Sequence, residues 1–215
     1  MVSPFFQLDE VSSAVLLRLT SPDGTNRLTR ECVRSLISAI EELGRYSKPL
    51  IIAGNPRFFS VGAELNEIAN LTGPEALQFS LAGQSLTNAI ASFPAPVIAA
   101  VEGHCMGGGL DLALACHRRI AGPHAMFGHR GAALGLITGW GGTQRLPRLI
   151  GKARALALFV AAEKVPAATA LEIGLVDALS DGPADEARRW IGTRKAEIAV
   201  TEQGTSSEMH TSTPD

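Results

Sequence analysis

The sequence predicts an α/β fold. Short, wholly apolar runs alternate with longer stretches whose apolar residues recur at helical spacing, and glycine-rich turns join the two. Ala14-Val15-Leu16-Leu17-Arg18-Leu19 reads as a buried strand, ended by the turn Ser21-Pro22-Asp23-Gly24. From Thr29, a candidate N-cap, the positions Val33, Leu36, Ile37, Ile40 and Leu43 predict a helix that stops at Gly44. Pro49–Gly54 is a second buried strand. A helix follows from Pro74 to Ser92, with Leu77, Leu81, Leu86, Ile90 and Phe93 expected on its buried side. Pro96–Val101 is apolar throughout, which predicts a strand covered on both faces.

Beyond Gly109, Leu110–Cys116 is apolar nearly all round and reads as a helix sunk in the interior. Arg119–Ala121 and Ala125–Phe127 are short candidate strands. Thr143–Leu149 and Ala153–Ala162 read as helices separated by Gly151. Pro166–Ile173 is a further short helix and Leu175–Leu179 a last strand. Ala184–Val200 forms a polar-faced helix with Trp190, Ile191 and Ile198 as anchors. The expected organisation is a core over residues 1–182, a C-terminal helix over 183–200 and a disordered tail over 201–215.

Composition narrows the function classes. In 215 residues the hydrophobic fraction is 46% and the charged fraction 19%, which excludes a disordered chain. The net charge of −2 leaves no electrostatic footprint for nucleic acid or an anionic membrane. No apolar run approaches the ~20 residues of a membrane span. The N-terminus has no basic region followed by an apolar stretch, so no signal peptide is expected. Cys32, Cys105 and Cys116 form no metal spacing, and no metal is expected. A soluble cytoplasmic protein is the expectation.

The densest chemical signal is Val101-Glu102-Gly103-His104-Cys105-Met106-Gly107-Gly108-Gly109-Leu110-Asp111. It runs a buried strand through a glycine turn into the first turn of a buried helix, where unpaired amides and the helix dipole favour negative charge. Glycines at 107–109 let an acyl group reach the backbone. They equally suit a close helix–strand crossing, and composition alone leaves both readings open. The spacing is not G-x-G-x-x-G and there is no P-loop lysine, which disfavours a nucleotide cradle. A second turn, Asn55–Leu65, also follows a buried strand. Two such strand ends can deliver two amides to one oxyanion, each typically worth ~2.7–4 kcal/mol in a transition state.

These residues resemble the crotonase (enoyl-CoA hydratase/isomerase) superfamily. Phe59-Ser60-Val61-Gly62-Ala63-Glu64-Leu65 is similar to its F-S-x-G-A-D-L segment, and Pro94–Cys116 to its P-x-P-V-I-A-A-v-x-G-x-x-x-G-G-G-x-e-L-A-L-A-C-D segment. Leu134–Leu136 with Gly141–Gly151 resembles L-G-l-x-p-g-x-G-G-T-Q-R-L-x-R-l-v-G, and Gly174–Asp177 resembles G-L-V-d. The resemblance is co-linear from Val15 to Leu179.

It implies a spiral of repeated ββα units with a shortened C-terminal helical region, and a coenzyme A thioester as substrate with no separate cofactor. The oxyanion-hole amides fall on Ala63 and Gly108, and the CoA-contacting loop on Ala63, Glu64, Leu65 and Asn66. Gly107 and Trp140 stand at the pocket. The family's hydratases carry two glutamates. The first maps to Asp111 and the second to Gly131, which has no side chain. His129 or Arg130 is a nearby substitute, and a histidine titrates in the useful range. His129 also reads as a surface loop residue, and Asp111 as an acid favoured by a helix N-terminus. His117 replaces the family's Asp at a structural position. The expected activity is enolate chemistry, with isomerisation favoured over hydration because one acid is missing. The rival is a catalytically impaired acyl-CoA binder or scaffold. No G-x-S-x-G supports a serine hydrolase. A homo-oligomer, trimer or hexamer, is expected to form through Gly141–Ala162.

Overall fold

The computed structural model describes residues 3–11 and 13–193. An antiparallel hairpin of β1 (Phe6–Val11) and β2 (Ala14–Leu19) opens the chain, followed by β3 (Arg27–Leu28) and α1 (Arg30–Gly44). The Thr29 hydroxyl caps α1, accepting from the Cys32 amide at 3.1 Å. Next come β4 (Leu50–Ala53), β5 (Phe58–Ser60), β6 (Gly62–Ala63), the short α2 (Leu65–Ala69) and α3 (Gly73–Ala91). The following unit is β7 (Val97–Val101), β8 (His104–Met106) and α4 (Gly108–Ala115). Then β9 (Arg118–Ala121) and β10 (Met126–Gly128) lead through a 3-10 turn at Gly131–Leu134 into α5 (Gly142–Ile150) and α6 (Lys152–Ala161). β11 (Val165–Pro166), α7 (Ala167–Glu172), β12 (Ala178–Leu179) and a helix over residues 183–193 complete the described chain.

Each unit sends its first strand to one sheet, its second to another, and its helix back across them. The larger sheet has the order β1-β2-β4-β7-β9-β12, parallel from β2 onward. The smaller has the order β11-β10-β8-β5. This is the ββα spiral that the resemblance implied. β7 is buried along its whole length, as its apolar run predicted. On one face it meets the core of α1, α3 and α4. The other face, with Leu16, Ile51, Ile98 and Ile120, is covered by Ala187 and Ile191 of the last helix. Arg118 stacks over Trp190 of that helix at 4.7 Å. Ile198, the rest of the helix expected to Val200 and the expected tail lie outside the described residues.

Several expectations need correction. Leu77 and Leu81 of α3 are exposed, because the stripe that packs inward is Phe79, Gly83, Leu86, Thr87 and Ile90. Small residues at 83 and 87 let α3 come close to its neighbours, which a count of large apolar side chains overlooks. The strand expected at Leu175–Leu179 is only Ala178–Leu179. Leu175 and Val176 turn back onto the Ala170 carbonyl at 2.8 and 3.2 Å. Asp177 is spent on the buried Arg119, accepting from its amide at 2.8 Å and its Nη2 at 3.1 Å. Arg119 also donates to the carbonyls of Leu175 and Cys116, so the G-L-V-D stretch locks the sheet rather than extending it. The strands β1, β3, β5, β6 and β8 carry too few apolar residues to stand out in the sequence.

His117 holds the start of β7: its Nδ1 accepts from the Val97 amide at 2.9 Å, as a structural position requires. That bond needs a neutral imidazole, and desolvation holds the group below its ordinary 6.5. A folded value below the unfolded one makes the contribution complete above pH 6.5 and lost as the pH falls through the folded value. The stability difference between wild type and His117→Ala, measured by urea unfolding, should be widest near neutral pH and narrow on acidification.

Candidate active site

Between α3, α4, α6 and the 131–140 segment lies a cleft of about 190 Å³. Its base is a crossing of two backbones. Gly62 (φ 91°) passes so close to the Gly107–Gly108 turn that a Cβ on it would lie 2.8 Å from the Gly108 nitrogen and 2.7 Å from the Met106 oxygen. A Cβ on Gly108 would lie 3.4 Å from the Ala63 nitrogen, so the two amides are neighbours. Gly108 opens α4, where an amide has no acceptor within the helix. Ala63, Gly107 and Gly108 all line the cleft.

Of the two readings left open for the glycines at 107–109, the close crossing accounts for Gly108 and Gly109. Gly107 is open, but a Cβ on Gly109 would strike Ser60 at 2.7 Å. At Gly108 it would strike the Trp140 indole at 2.5 Å, and at Gly83 the same ring at 2.1 Å. Trp140 is therefore clamped between α3 and α4, with its edge on Phe79 at 5.2 Å. Its carbonyl accepts from Thr87 at 2.9 Å and Arg145 at 3.2 Å. It does shape the pocket, as a fixed wall.

Asp111 sits on the first turn of α4, 1% exposed. Its Oδ2 accepts from the Thr138 hydroxyl. Its Oδ1 is 3.3 Å from Nε2 of His129, yet neither atom has a hydrogen-bond partner. They are close enough to feel one another and misaligned for a bond. His129 follows β10 and is 4% exposed against Phe159, so it is no surface loop residue. Gly142 allows the pairing: a Cβ there would lie 2.2 Å from Oδ1 and 3.0 Å from Nε2.

Gly131 lines the cleft and offers no acid. A Cβ on it would sit 2.7 Å from the Leu136 carbonyl, in a turn closed by the Leu136 amide on the Gly131 carbonyl at 2.8 Å. A glutamate cannot be restored there without moving the loop. Of the expected CoA loop, Ala63 and Leu65 line the cleft, whereas Glu64 and Asn66 do not. Glu64 caps α2, accepting from the Asn66 amide at 3.0 Å, and faces Arg27 at 3.4 Å. Burial pushes the Cys116 thiol up to about 12 and Cys105 well above its ordinary value, so neither supplies a thiolate.

Sequence reasoning missed Thr138, Phe79, Phe159 and the apolar lip of Leu134, Leu136 and Ile137. Thr138 had a signal: it stands at the proline of the L-G-l-x-p-g-x-G-G pattern. Gly108→Ala should cost about 1–3 kcal/mol in urea unfolding through overpacking on the indole. In a Trp140→Leu background that cost should shrink, since the two sites are in contact. An unchanged cost would mean that Trp140 is not what fills the space at Gly108.

A model of the family described as enoyl-CoA hydratase/isomerase matches residues 9–201. The chain is 43% identical over 165 residues to a probable enoyl-CoA hydratase of Bacillus subtilis, covering 75% of this chain. It spans only 63% of the length of that curated relative. Among solved structures it is similar to DspI of Pseudomonas aeruginosa, 33% identical with a TM-score of 0.84 over 89% of this chain and 74% of that one. It is also similar to an enoyl-CoA hydratase of Thermoplasma volcanium, 31% identical with a TM-score of 0.82 over 90% of this chain and 77% of that one. Both the sequence and the ββα spiral agree: the chain belongs to the enoyl-CoA hydratase/isomerase family, with the crotonase fold.

Proposed function

We propose that the chain acts on an acyl-CoA thioester through an enolate, as an isomerase rather than a hydratase. The observation that carries this reading is the placing of the Ala63 and Gly108 amides side by side at the base of the cleft that holds Asp111. The thioester oxygen would accept from both amides, which stabilise it as charge develops. Asp111, with His129 beside it, would move the proton. From a 3-enoyl thioester the Asp111 carboxylate takes a proton from C2 and becomes the carboxylic acid. The C–H pair moves into the C2–C1 bond, and the carbonyl oxygen becomes the oxyanion. Return of the proton at C4 leaves the 2-enoyl product, so a single acid balances the reaction. Hydration needs a second group to hold and deprotonate water, and Gly131 supplies none. The acyl group would be apolar, since Phe79, Leu136, Trp140 and Phe159 form the wall.

The test is double-bond shift, read at the conjugated thioester absorbance, with C2 proton exchange in deuterium oxide. Asp111→Asn should lose both by roughly 10²–10⁴-fold while acyl-CoA binding persists. Full activity in that variant removes Asp111 from the chemistry. Binding without exchange in wild type selects the scaffold reading, which the closed Gly131 turn favours.

We also propose a homo-oligomer, trimer or hexamer, in a cytoplasmic setting. Leu156 and Val160 of α6 are 64% and 69% exposed, within the Gly141–Ala162 segment. Among the described residues no helix is long and apolar enough to cross a membrane. Light scattering over a dilution series should give a multiple of the chain mass that falls in Leu156→Glu. A monomer at every concentration overturns this.

A further inference from the structure

We propose that Thr138 is a positioning residue that holds the Asp111 carboxylate at one angle and keeps it from closing onto His129; the catalytic half of this inference rests on the acyl-CoA reading above. Among the described residues the Thr138 hydroxyl is the side-chain hydrogen-bond donor to the carboxylate, and it engages Oδ2. Oδ1 is left 3.3 Å from His129 Nε2 without a bond, in a position that is almost wholly buried. A carboxylate turns easily about its Cβ–Cγ bond. Freed of Thr138, it would rotate into line with the imidazole and form the charge-assisted bond now withheld. The carboxylate would then be held by His129 at a different angle to the cleft it lines.

Thr138 can do this because its own place is fixed by rigid elements. The carbonyl of Gly139 accepts from Ser80 at 3.1 Å and Gln84 at 2.8 Å, both on α3. The next carbonyl, of Trp140, is held by Thr87 of α3 and Arg145 of α5. α4 carries the acid, and the turn anchored to α3 and α5 carries the hydroxyl. Their relative position is set by helix packing, not by a loop. A proline or valine at 138 would keep the turn apolar and lose the donor.

The experiment compares Thr138→Val, Thr138→Ala and Thr138→Ser in the full chain, each first shown to be folded by thermal unfolding. Two readouts are used: kcat and KM for the 3-enoyl to 2-enoyl shift, and the carboxyl ¹³C resonance of Asp111, assigned by its absence in Asp111→Asn. Thr138→Val and Thr138→Ala should lower kcat by roughly 10- to 100-fold with little change in KM, and should move the resonance. Thr138→Ser should restore both. Wild-type kcat and an unmoved resonance in the valine and alanine variants overturn the proposal. If wild type turns over no thioester but the resonance still moves, the acyl-CoA reading fails and the positioning of Asp111 stands. If turnover is present and neither variant changes it, the reading stands and the positioning role falls.

Discussion

The site depends on one close backbone approach, that of Gly62–Ala63 to Gly107–Gly108. With Cβ positions 2.7 and 2.8 Å from the opposing backbone, no residue larger than glycine fits at 62 without parting the two segments. The approach joins a β6 that pairs with β3 to an α4 that grows out of β8. It thereby fixes two amides from distant parts of the sequence beside each other. Spiral architecture makes this possible, because each unit ends its second strand at the same level as the one before. The parallel pairing of β5 with β8 and of β8 with β10 brings the three turns that follow those strands to one edge. Ala63, Gly108 and His129 lie just beyond those three strand ends.

A buried carboxylate in such a place is costly unless its charge is met by donors. Asp111 has one side-chain hydroxyl, the His129 imidazole 3.3 Å away, and the field of Arg145 beyond. That field acts in both directions: burial pulls the Arg145 guanidinium down from its ordinary range, and the Asp111 charge opposes this. The remaining walls are apolar, so the acid faces a cleft of low dielectric, where an oriented donor or acceptor is worth more than in water.

What the sequence revealed and what it hid follow a physical division. Wholly apolar strands such as Leu50–Ala53 and Val97–Val101 were legible because both faces are covered. The Thr29 cap and the helices at Gly151 were legible because capping and stop signals are local. The two-residue strands β3 and β6 were not, since their existence depends on each other and on nothing in their own composition. The same holds in the site. Ala63, Gly108 and Asp111 lie within co-linear motifs and could be placed by resemblance, and Gly131 by its distance from His129. Phe79 and Phe159 come from helices whose apolar residues look alike in sequence, and only the packing tells which of them reaches the cleft. The faces of α3 were misjudged for that reason: Gly83 and Thr87 are poor hydrophobic signals and strong contact sites.

Two departures from the family pattern fall at the same cleft, and the geometry relates them. At 131, where the resemblance implies a carboxylate, this chain has glycine in a turn whose own hydrogen bond leaves no room for a side chain. At 138 a hydroxyl stands where the pattern has proline, and it bonds to the remaining acid. A pair of carboxylates restrains each member by mutual repulsion and by the water they share. A lone carboxylate beside a histidine has neither restraint, and a charge-assisted bond to the imidazole is then the course open to it. The hydroxyl of Thr138 opposes that course by engaging the oxygen on the other side. On the proposed reading, the glycine at 131 and the hydroxyl at 138 would act together: one acid held at a fixed angle stands where the resemblance implies two carboxylates.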